Sequence, residues 1–278
     1  MQGTKQEFLK IFKELCYSRS SWQVWADLIT CMAVSIANAV DKFEPRYSER
    51  EKEYEACIGR LGGVEKPAQC FSIVVQALEL NPDQDFLGEL YMELNLGNHW
   101  KGQFFTPYSI CKLMSDMTCE NVDAQIEKNG YISVCDPACG AGATLIAVVG
   151  TMRKCRHNFQ NHVLFAGQDI DRVTGMMCYI QLSLLGCAGY VCIANTITNP
   201  MIGDALFPEE RENQEFWYTP MFASDVWHYR RIAYKMDILV QGFEKKVQKS
   251  TGKFEKQKFT FFFDFEGGYN PWQKIKMS

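Results

Sequence analysis

A short segment in the middle of the chain restricts the possible fold more than any other feature. Residues 136–142 read Asp-Pro-Ala-Cys-Gly-Ala-Gly, and they follow the apolar run 131–135 directly. Residues 143–152 then have the apolar spacing of a helix. A strand, a glycine turn and a helix in this order are typical of a βαβ unit, in which a ligand can approach the backbone of the turn and lie at the helix N-terminus.

The same alternation continues downstream. Apolar runs at 163–166 and 190–194 predict two further strands, and the segment 173–185 predicts the helix between them. We therefore expect an α/β fold built on a parallel sheet. The first of these runs ends in an acidic residue, Asp169, which lies further from Asp136 than the about 20 residues usual in such units. This spacing predicts an extended first helix or loop.

Residues 1–98 show no such alternation. Apolar residues recur there at helical spacing, for example at Phe8, Phe12 and Leu15. We predict a helical N-terminal domain over residues 1–98 and a sheet domain over residues 99–278. Two late strands are predicted near 237–240 and 258–265. Lysines are frequent between 235 and 258, and they form either a solvated face or contacts to a phosphate backbone.

The composition excludes several classes of protein. With 47% hydrophobic and 22% charged residues the chain is globular, rather than disordered or fibrous. Its formal net charge of −4 provides no overall basic field that would attract nucleic acid. A role in nucleic-acid binding would therefore need a local basic patch or a partner protein.

Cysteine spacing and hydropathy indicate the compartment. The twelve cysteines lie mostly in apolar runs, without a histidine pair at the spacing of zinc ligands. This predicts buried thiols in a reducing cytosol and no metal site. No run reaches the roughly 18 apolar residues that a membrane span needs, and the N-terminus lacks the apolar core of a signal peptide. We expect a cytoplasmic protein that binds no membrane.

The glycine turn is compatible with two classes of cofactor. The dinucleotide fingerprint needs a third small residue at position 145, which is Leu145, and a pyrophosphate beside the carboxylate of Asp136 is electrostatically unfavourable. S-adenosylmethionine carries an ammonium and a sulfonium group, which suit that carboxylate better. Asp169 is placed to accept hydrogen bonds from both ribose hydroxyls of an adenosine. The alternative is that Asp169 or Asp171 caps the following helix.

Four motifs in order resemble the amino-methyltransferase family of DNA adenine methylases, especially the modification subunits of type I restriction systems. The motifs are Gly102-Gln103-Phe104-Phe105-Thr106-Pro107, the glycine turn with its extension to Leu145, Gly167-Gln168-Asp169, and Gly203-Asp204-Ala205-Leu206. The resemblance implies a Rossmann-like, S-adenosylmethionine-dependent methyltransferase sheet preceded by a helical N-terminal domain. It also implies methyl transfer to the exocyclic N6 amine of a flipped adenine.

The resemblance assigns cofactor contacts to all four motifs. The residues so assigned are Phe105, Thr106 and Pro107 around the methionine end, Asp136, Ala138, Gly140 and Gly142 in the glycine turn that holds the amino-acid portion, Asp169 on the ribose, and Ile170 and Asp204 on the adenine. Two alternatives stay open. Thr106 and Pro107 have the pattern of an ordinary helix start, and Gly-Asp is a common turn.

The family's catalytic tetrapeptide, Asn-Pro-Pro-aromatic, does not occur in this sequence. In the family the Asn oxygen and a Pro carbonyl accept the two amine protons, and the aromatic ring stacks on the flipped base. The partial matches are Thr219-Pro220-Met221-Phe222, Asn199-Pro200-Met201 and Tyr269-Asn270-Pro271-Trp272. Spacing after the Gly-Asp motif favours the first, which predicts Thr219, Pro220 and Phe222 as catalytic residues. Loss of one of the two acceptors would raise the activation free energy of methyl transfer by about 2–4 kcal/mol.

Two functions therefore stay open. One is a DNA adenine N6-methyltransferase, and the other is a weak or inactive S-adenosylmethionine-binding subunit of a restriction-modification or mobile-element complex. Methylation of RNA or of a protein glutamine is a third reading. Because the chain has no segment typical of target recognition, we expect contact with DNA to depend on a partner specificity subunit, in a hetero-complex or a homo-oligomer.

Overall fold

A computed structural model of the chain describes residues 2–17, 19–96, 105–119 and 122–251. The first part of the chain is helical, as predicted. Its helices are α1 (Gln2–Leu15), α2 (Ser21–Val40), α3 (Arg46–Leu61), α4 (Glu65–Leu80) and α5 (Phe86–Glu93). Helix α2 is apolar on most of its surface and packs against α3 and α4, so it forms the centre of this part of the core.

Helix α2 differs from the expectation that no segment is apolar enough to span a membrane. Among the described helices it is the one that is long and apolar enough to cross a membrane, by length and composition alone. In the structure 67% of its most apolar window is buried, and its buried Asp27 accepts a 2.6 Å hydrogen bond from Nη2 of Arg60 on α3. These are the contacts of a core helix, because a helix that is apolar all round must be covered by its neighbours.

The rest of the described chain alternates between helices and strands. In chain order the elements are α6 (Tyr108–Thr118), α7 (Val122–Asn129), β1 (Ile132–Asp136), α8 (Ala143–Lys154), α9 (Phe159–His162), β2 (Val163–Asp169), α10 (Arg172–Leu184), β3 (Ala188–Ile193), β4 (Ile202–Asp204), β5 (Phe207–Glu209), β6 (Glu215–Tyr218), a 3-10 turn (Pro220–Ala223) and α11 (Asp225–Thr251). The short helix α9 occupies the extra length between the two aspartates that end β1 and β2, which confirms the extended connection.

The main sheet is mostly parallel, as predicted. Its order is β1-β2-β3-β6, with the first three strands parallel and β6 antiparallel to β3. Strands β2 and β3 are buried almost throughout, which is typical of a parallel sheet covered on both faces. The register aligns Asp136 with Gly167 and Asp169 with Ile193. The carboxyl ends of β1, β2 and β3 therefore lie at one edge of the sheet.

The late part of the chain differs from the prediction. The segment 237–240 lies inside α11 and is not a strand. A run of four residues satisfies strand and helix patterns equally, and here it continues a helix of 27 residues. The predicted strand 258–265 lies outside the described residues.

The helical part and the sheet share one hydrophobic core. It extends without interruption from Phe8 and Trp25 in the first helices to Val163 and Tyr179 around the sheet, and α2 packs directly on α10. The described residues up to His228 form one compact unit, and the described residues from Tyr229 to Thr251 belong to a second. The domain boundary near residue 98 stays a prediction. All twelve cysteines are free thiols, most of them buried.

Candidate functional site

The glycine turn between β1 and α8 is held in a conformation that needs glycine. Gly140 and Gly142 have φ values of +51° and +95°, a region that other residues rarely adopt. A Cβ atom on Gly142 would lie 2.8 Å from Sγ of Cys178 on α10. The backbone N–H of Cys139 donates to the carbonyl of Gln168 at 3.0 Å. The turn therefore rests on the end of β2 and packs closely against α10.

Asp136 at the end of β1 organises the start of the turn. Its Oδ1 accepts a 3.0 Å hydrogen bond from the backbone N–H of Ala138, and its Oδ2 accepts one from the hydroxyl of Thr144 in the first turn of α8. A carboxylate offers about four acceptor positions, so Asp136 can accept further hydrogen bonds from a ligand.

Asp169 at the end of β2 reaches across to the same turn. Its Oδ2 accepts a 2.8 Å hydrogen bond from the N–H of Gly140, and its Oδ1 accepts one from the N–H of Asp171 at 2.8 Å and one from the hydroxyl of Thr174 at 3.2 Å. Burial raises the pKa of Asp169, although these hydrogen bonds oppose the shift. The helix-capping alternative applies to Asp171, whose Oδ1 accepts from the N–H of Thr174 at 3.0 Å.

Phe105, Thr106 and Pro107 lie beside the turn, at the start of α6. The ring of Phe105 stacks on Tyr91 of α5 at 5.2 Å, and its Cε1 atom is 3.1 Å from where a Cβ atom of Gly140 would lie. Pro107 occupies the N-cap position of α6, and no side chain caps that helix. A helix therefore does start at this pattern, as the alternative interpretation expected, but without a side-chain cap from Thr106.

A cavity of about 660 Å³ opens between α6, β1 and the turn. Five of the ten predicted cofactor residues line it, namely Phe105, Thr106, Asp136, Ala138 and Gly140. Burial raises the pKa of the Cys111 thiol in its wall, and the nearby Asp85 and Asp136 raise it further. Two acidic residues, Asp85 and Asp136, and no basic residue are among the described residues that line the cavity, which favours a cationic ligand group over a phosphate.

The other predicted cofactor residues do not line the cavity. Ile170 follows β2 directly, and 68% of its surface is exposed to solvent. Asp204 ends β4 in a small hairpin, where its Oδ1 accepts a 2.8 Å hydrogen bond from the N–H of Leu206. The hydroxyl of Tyr190 on β3 donates to the carbonyl of Ala205 at 3.1 Å, which attaches the hairpin to the sheet.

The structure does not bring the predicted catalytic tetrapeptide to the turn. Thr219 follows β6, and its hydroxyl donates to the carbonyl of Cys187 at 2.7 Å and accepts from the N–H of Gly189 at 3.0 Å. These contacts lie at the amino end of β3, whereas the turn follows the carboxyl end of β1, and β6 itself is three strand spacings from β1, about 14 Å. Pro220 begins the 3-10 turn, and Phe222 stacks on Tyr218 at 5.2 Å.

The partial match at Asn199 lies nearer the turn. The carbonyl of Asn199 accepts a 2.9 Å hydrogen bond from Nε2 of Gln168, and Oε1 of that glutamine accepts from the N–H of Met201 at 2.9 Å. The hydroxyl of Thr196 in the same loop donates to the carbonyl of Pro137 in the turn. The third match, Tyr269-Asn270-Pro271-Trp272, lies outside the described residues.

Sequence reasoning missed two buried glutamines that support the site. Gln168 connects β2 to the loop after β3, as described above, and Gln181 on α10 donates to the carbonyl of Ala141 in the turn at 2.8 Å. Both lie within otherwise apolar runs of buried residues. A buried amide must find hydrogen-bond partners, so its presence in such a run was an available signal, although not one that names the partner.

Comparisons with known proteins agree with the resemblance. The family model described as N-6 DNA Methylase matches residues 83–254, more than half of the chain. Among solved structures, the type I restriction-modification system methyltransferase subunit from Streptococcus thermophilus is similar at 14% identity, over 71% of this chain and 59% of that subunit, with a TM-score of 0.35. A likeness at that level carries no structural argument. No curated protein matches the sequence significantly. On the family match, the chain belongs to the N-6 DNA methylase family.

Proposed function

We propose that this chain binds S-adenosylmethionine on a Rossmann-like sheet and takes part in N6-methylation of adenine in DNA. The observation that carries the proposal is the position of Asp169, whose carboxylate holds the N–H of Gly140 at 2.8 Å. The turn is thereby flanked by two carboxylates, Asp136 and Asp169, and it opens into a cavity lined by the acidic residues Asp85 and Asp136. A cofactor with an ammonium and a sulfonium group fits this charge, whereas a pyrophosphate does not.

The residues present fit the cofactor. Asp136 has acceptor positions left for the ammonium group, with Ala138, Gly140 and Gly142 providing backbone beside it. Asp169 already accepts three hydrogen bonds, which leaves about one of its four acceptor positions for a ribose hydroxyl. Both hydroxyls could therefore bind to Asp169 only if one internal hydrogen bond were released.

The remaining assignments of the resemblance belong to the same proposal. Phe105, Thr106 and Pro107 flank the methionine end, and the exposed Ile170 is available to pack on the adenine ring. Asp204 would receive the adenine amino group. The cofactor, when bound, supplies the activated methyl group, and the chain's part is to hold it and to orient the accepting amine.

A second function is favoured by the placement of Thr219. Only 1% of its surface is exposed, and its hydroxyl is bonded to main-chain groups of β3, so its oxygen is not presented as an acceptor for an adenine amine beside the turn. The acceptor role then passes to Asn199, beside the turn, or to Asn270, which follows a predicted strand. If neither serves, the chain is a weak or inactive S-adenosylmethionine-binding subunit of a restriction-modification or mobile-element complex.

We also propose how the protein meets DNA and where in the cell it acts. We infer that DNA is presented by a partner specificity subunit in a hetero-complex, or bound by a homo-oligomer. The charge of the chain supports this, since a formal net charge of −4 does not attract DNA by itself. A cytoplasmic location is the one in which its free thiols stay reduced.

Calorimetric titration with S-adenosylmethionine tests the cofactor site. We expect the wild type to bind and Asp169→Asn to weaken binding about tenfold or more, since the carboxylate loses charge and an acceptor. Asp171→Asn is the matched control, because asparagine keeps the helix cap, and it should bind within about threefold of the wild type. Absence of binding by the wild type would contradict the proposal.

Transfer of a tritiated methyl group then separates the two functions. DNA and RNA are offered to the wild type and to Thr219→Val, Asn199→Ala and Asn270→Ala. Transfer to DNA that is lost in one Asn variant, while cofactor binding is kept, supports the enzyme and identifies the acceptor. Binding without transfer to either nucleic acid supports the inactive subunit.

A further inference from the structure

A single buried side chain connects the glycine turn to the helical part of the chain. Gln181 lies on α10 with none of its surface exposed. Its Nε2 donates to Oδ1 of Asp85 at 2.8 Å and to the carbonyl of Ala141 at 2.8 Å, and its Oε1 accepts from the N–H of Leu87 at 3.1 Å. Both amide hydrogens are therefore used, one toward α5 and one toward the turn.

Helix α5 meets the site at a second point. Asp85 is the N-cap of α5, accepts a 2.9 Å hydrogen bond from the N–H of Gly88, and lines the cavity although only 4% of its surface is exposed. Further along the helix, Tyr91 stacks on Phe105, which in turn packs on Gly140. The conformation of the turn thus depends on α5 through a hydrogen-bond chain and through an aromatic stack.

We propose that Gln181 is a positioning residue of the cofactor site, through which α5 fixes the orientation of the glycine turn. The proposal rests on the proposed S-adenosylmethionine site. Ala141 lies between Gly140 and Gly142, and a bond to its carbonyl restrains the peptide plane that joins Ala141 to Gly142. Without a donor that carbonyl would be buried and unpaired, which is costly, and the turn would rotate to find another partner.

Only an amide can serve all three partners of Gln181. A glutamate at this position keeps an acceptor for Leu87 but has no donor for Asp85 or Ala141, and it places two carboxylates together. This difference allows the link to α5 to be restored without restoring the link to the turn. In the double variant Asp85→Asn/Gln181→Glu the new asparagine can donate to the new glutamate and still cap α5. At a pH high enough to keep that glutamate ionised, the carbonyl of Ala141 has no donor.

The test compares Gln181→Glu, the double variant and a matched control, Gln84→Met. Gln84 is also a buried amide bound to main-chain carbonyls, those of Ala77 and Asn81, but it does not contact the turn. Melting temperature, S-adenosylmethionine affinity by calorimetry and hydrogen exchange of amides 138–144 are measured on each full chain. The control should lose stability and keep its affinity.

We expect Gln181→Glu to lose both stability and affinity. The double variant should regain most of the melting temperature but remain about tenfold weaker for S-adenosylmethionine, as is expected for loss of about one hydrogen bond. Its amides in 138–144 should exchange faster than those of the wild type. A double variant that regains affinity together with stability overturns the proposal, because Gln181 would then act on folding alone.

The S-adenosylmethionine site and the positioning role of Gln181 can be refuted separately. If the wild type binds no S-adenosylmethionine, the proposed function is wrong, and hydrogen exchange decides the role of Gln181 by itself. Faster exchange of amides 138–144 in the double variant, with unchanged exchange there in the control, supports the positioning role. Wild-type exchange in the double variant refutes it.

Discussion

Replacing Gly142 by alanine tests the close packing between the glycine turn and α10. The new Cβ atom would lie 2.8 Å from Sγ of Cys178, a distance that real Cβ atoms essentially never show, on a backbone with φ of +95°. The left-handed conformation costs about 1–2 kcal/mol, and insertion of a methyl group into a packed site costs about 1–3 kcal/mol. We expect Gly142→Ala to lower the free energy of unfolding by about 2–5 kcal/mol.

A second substitution separates these two costs. Cys178→Ala removes the sulfur atom and leaves Cα and Cβ, each 3.4 Å from the new methyl group, which is a tolerable contact. In that background Gly142→Ala should cost only the backbone part, about 1–2 kcal/mol. Urea denaturation of the four proteins, followed by tryptophan fluorescence, gives the coupling energy. If the two substitutions add without coupling, the turn does not pack on the thiol as described, and the reasoning fails.

Three further predictions concern other contacts. Burial raises the pKa of Asp169, so at pH above that raised pKa the ionised carboxylate lowers the stability of the folded state, and this cost disappears as the pH falls toward the pKa of the unfolded chain. Affinity for S-adenosylmethionine should fall over the same pH window as the carboxylate becomes protonated. Calorimetry of Asp169→Asn should show no such fall. Thr219→Val should lower the free energy of unfolding by about 1–3 kcal/mol, because two buried main-chain groups lose their partner. Methyl transfer per folded molecule should stay unchanged, and a specific loss of transfer would support Thr219 as a catalytic residue. Arg172→Met should lower the free energy of unfolding, measured by urea denaturation, by about 2 kcal/mol, because Glu53 on α3 and Glu215 on β6 lose their shared guanidinium. An unchanged free energy of unfolding would show that this ion pair does not hold α3 to β6.

The sequence was informative where the structure is local. The strand, the glycine turn and α8 follow from consecutive residues, and the predicted boundaries lie within about two residues of those observed for this unit. The end of β2 was also predictable, because an acidic residue after a buried run is placed at the edge of a parallel sheet by the topology alone. The contact between Asp169 and the N–H of Gly140 refines that expectation without changing it.

The sequence was less informative where the position of a residue depends on which strands are neighbours. Spacing along the chain favoured Thr219, but β6 is antiparallel to β3, and this reverses the end of the sheet that its last residue approaches. No local pattern reports that reversal. For the same reason the partners of Gln181 were not visible, since Asp85 lies 96 positions earlier in the chain.

Because the helical part and the sheet share one core, the residue at which the family match begins is not a boundary between folded domains. The pattern begins at residue 83, yet α10 packs on α2, which comes earlier in the chain. A fragment cut at that boundary would expose a broad apolar surface to water and would be expected to aggregate. The first four helices therefore belong to the same folded unit as the sheet, and a truncation at residue 83 should remove part of its core.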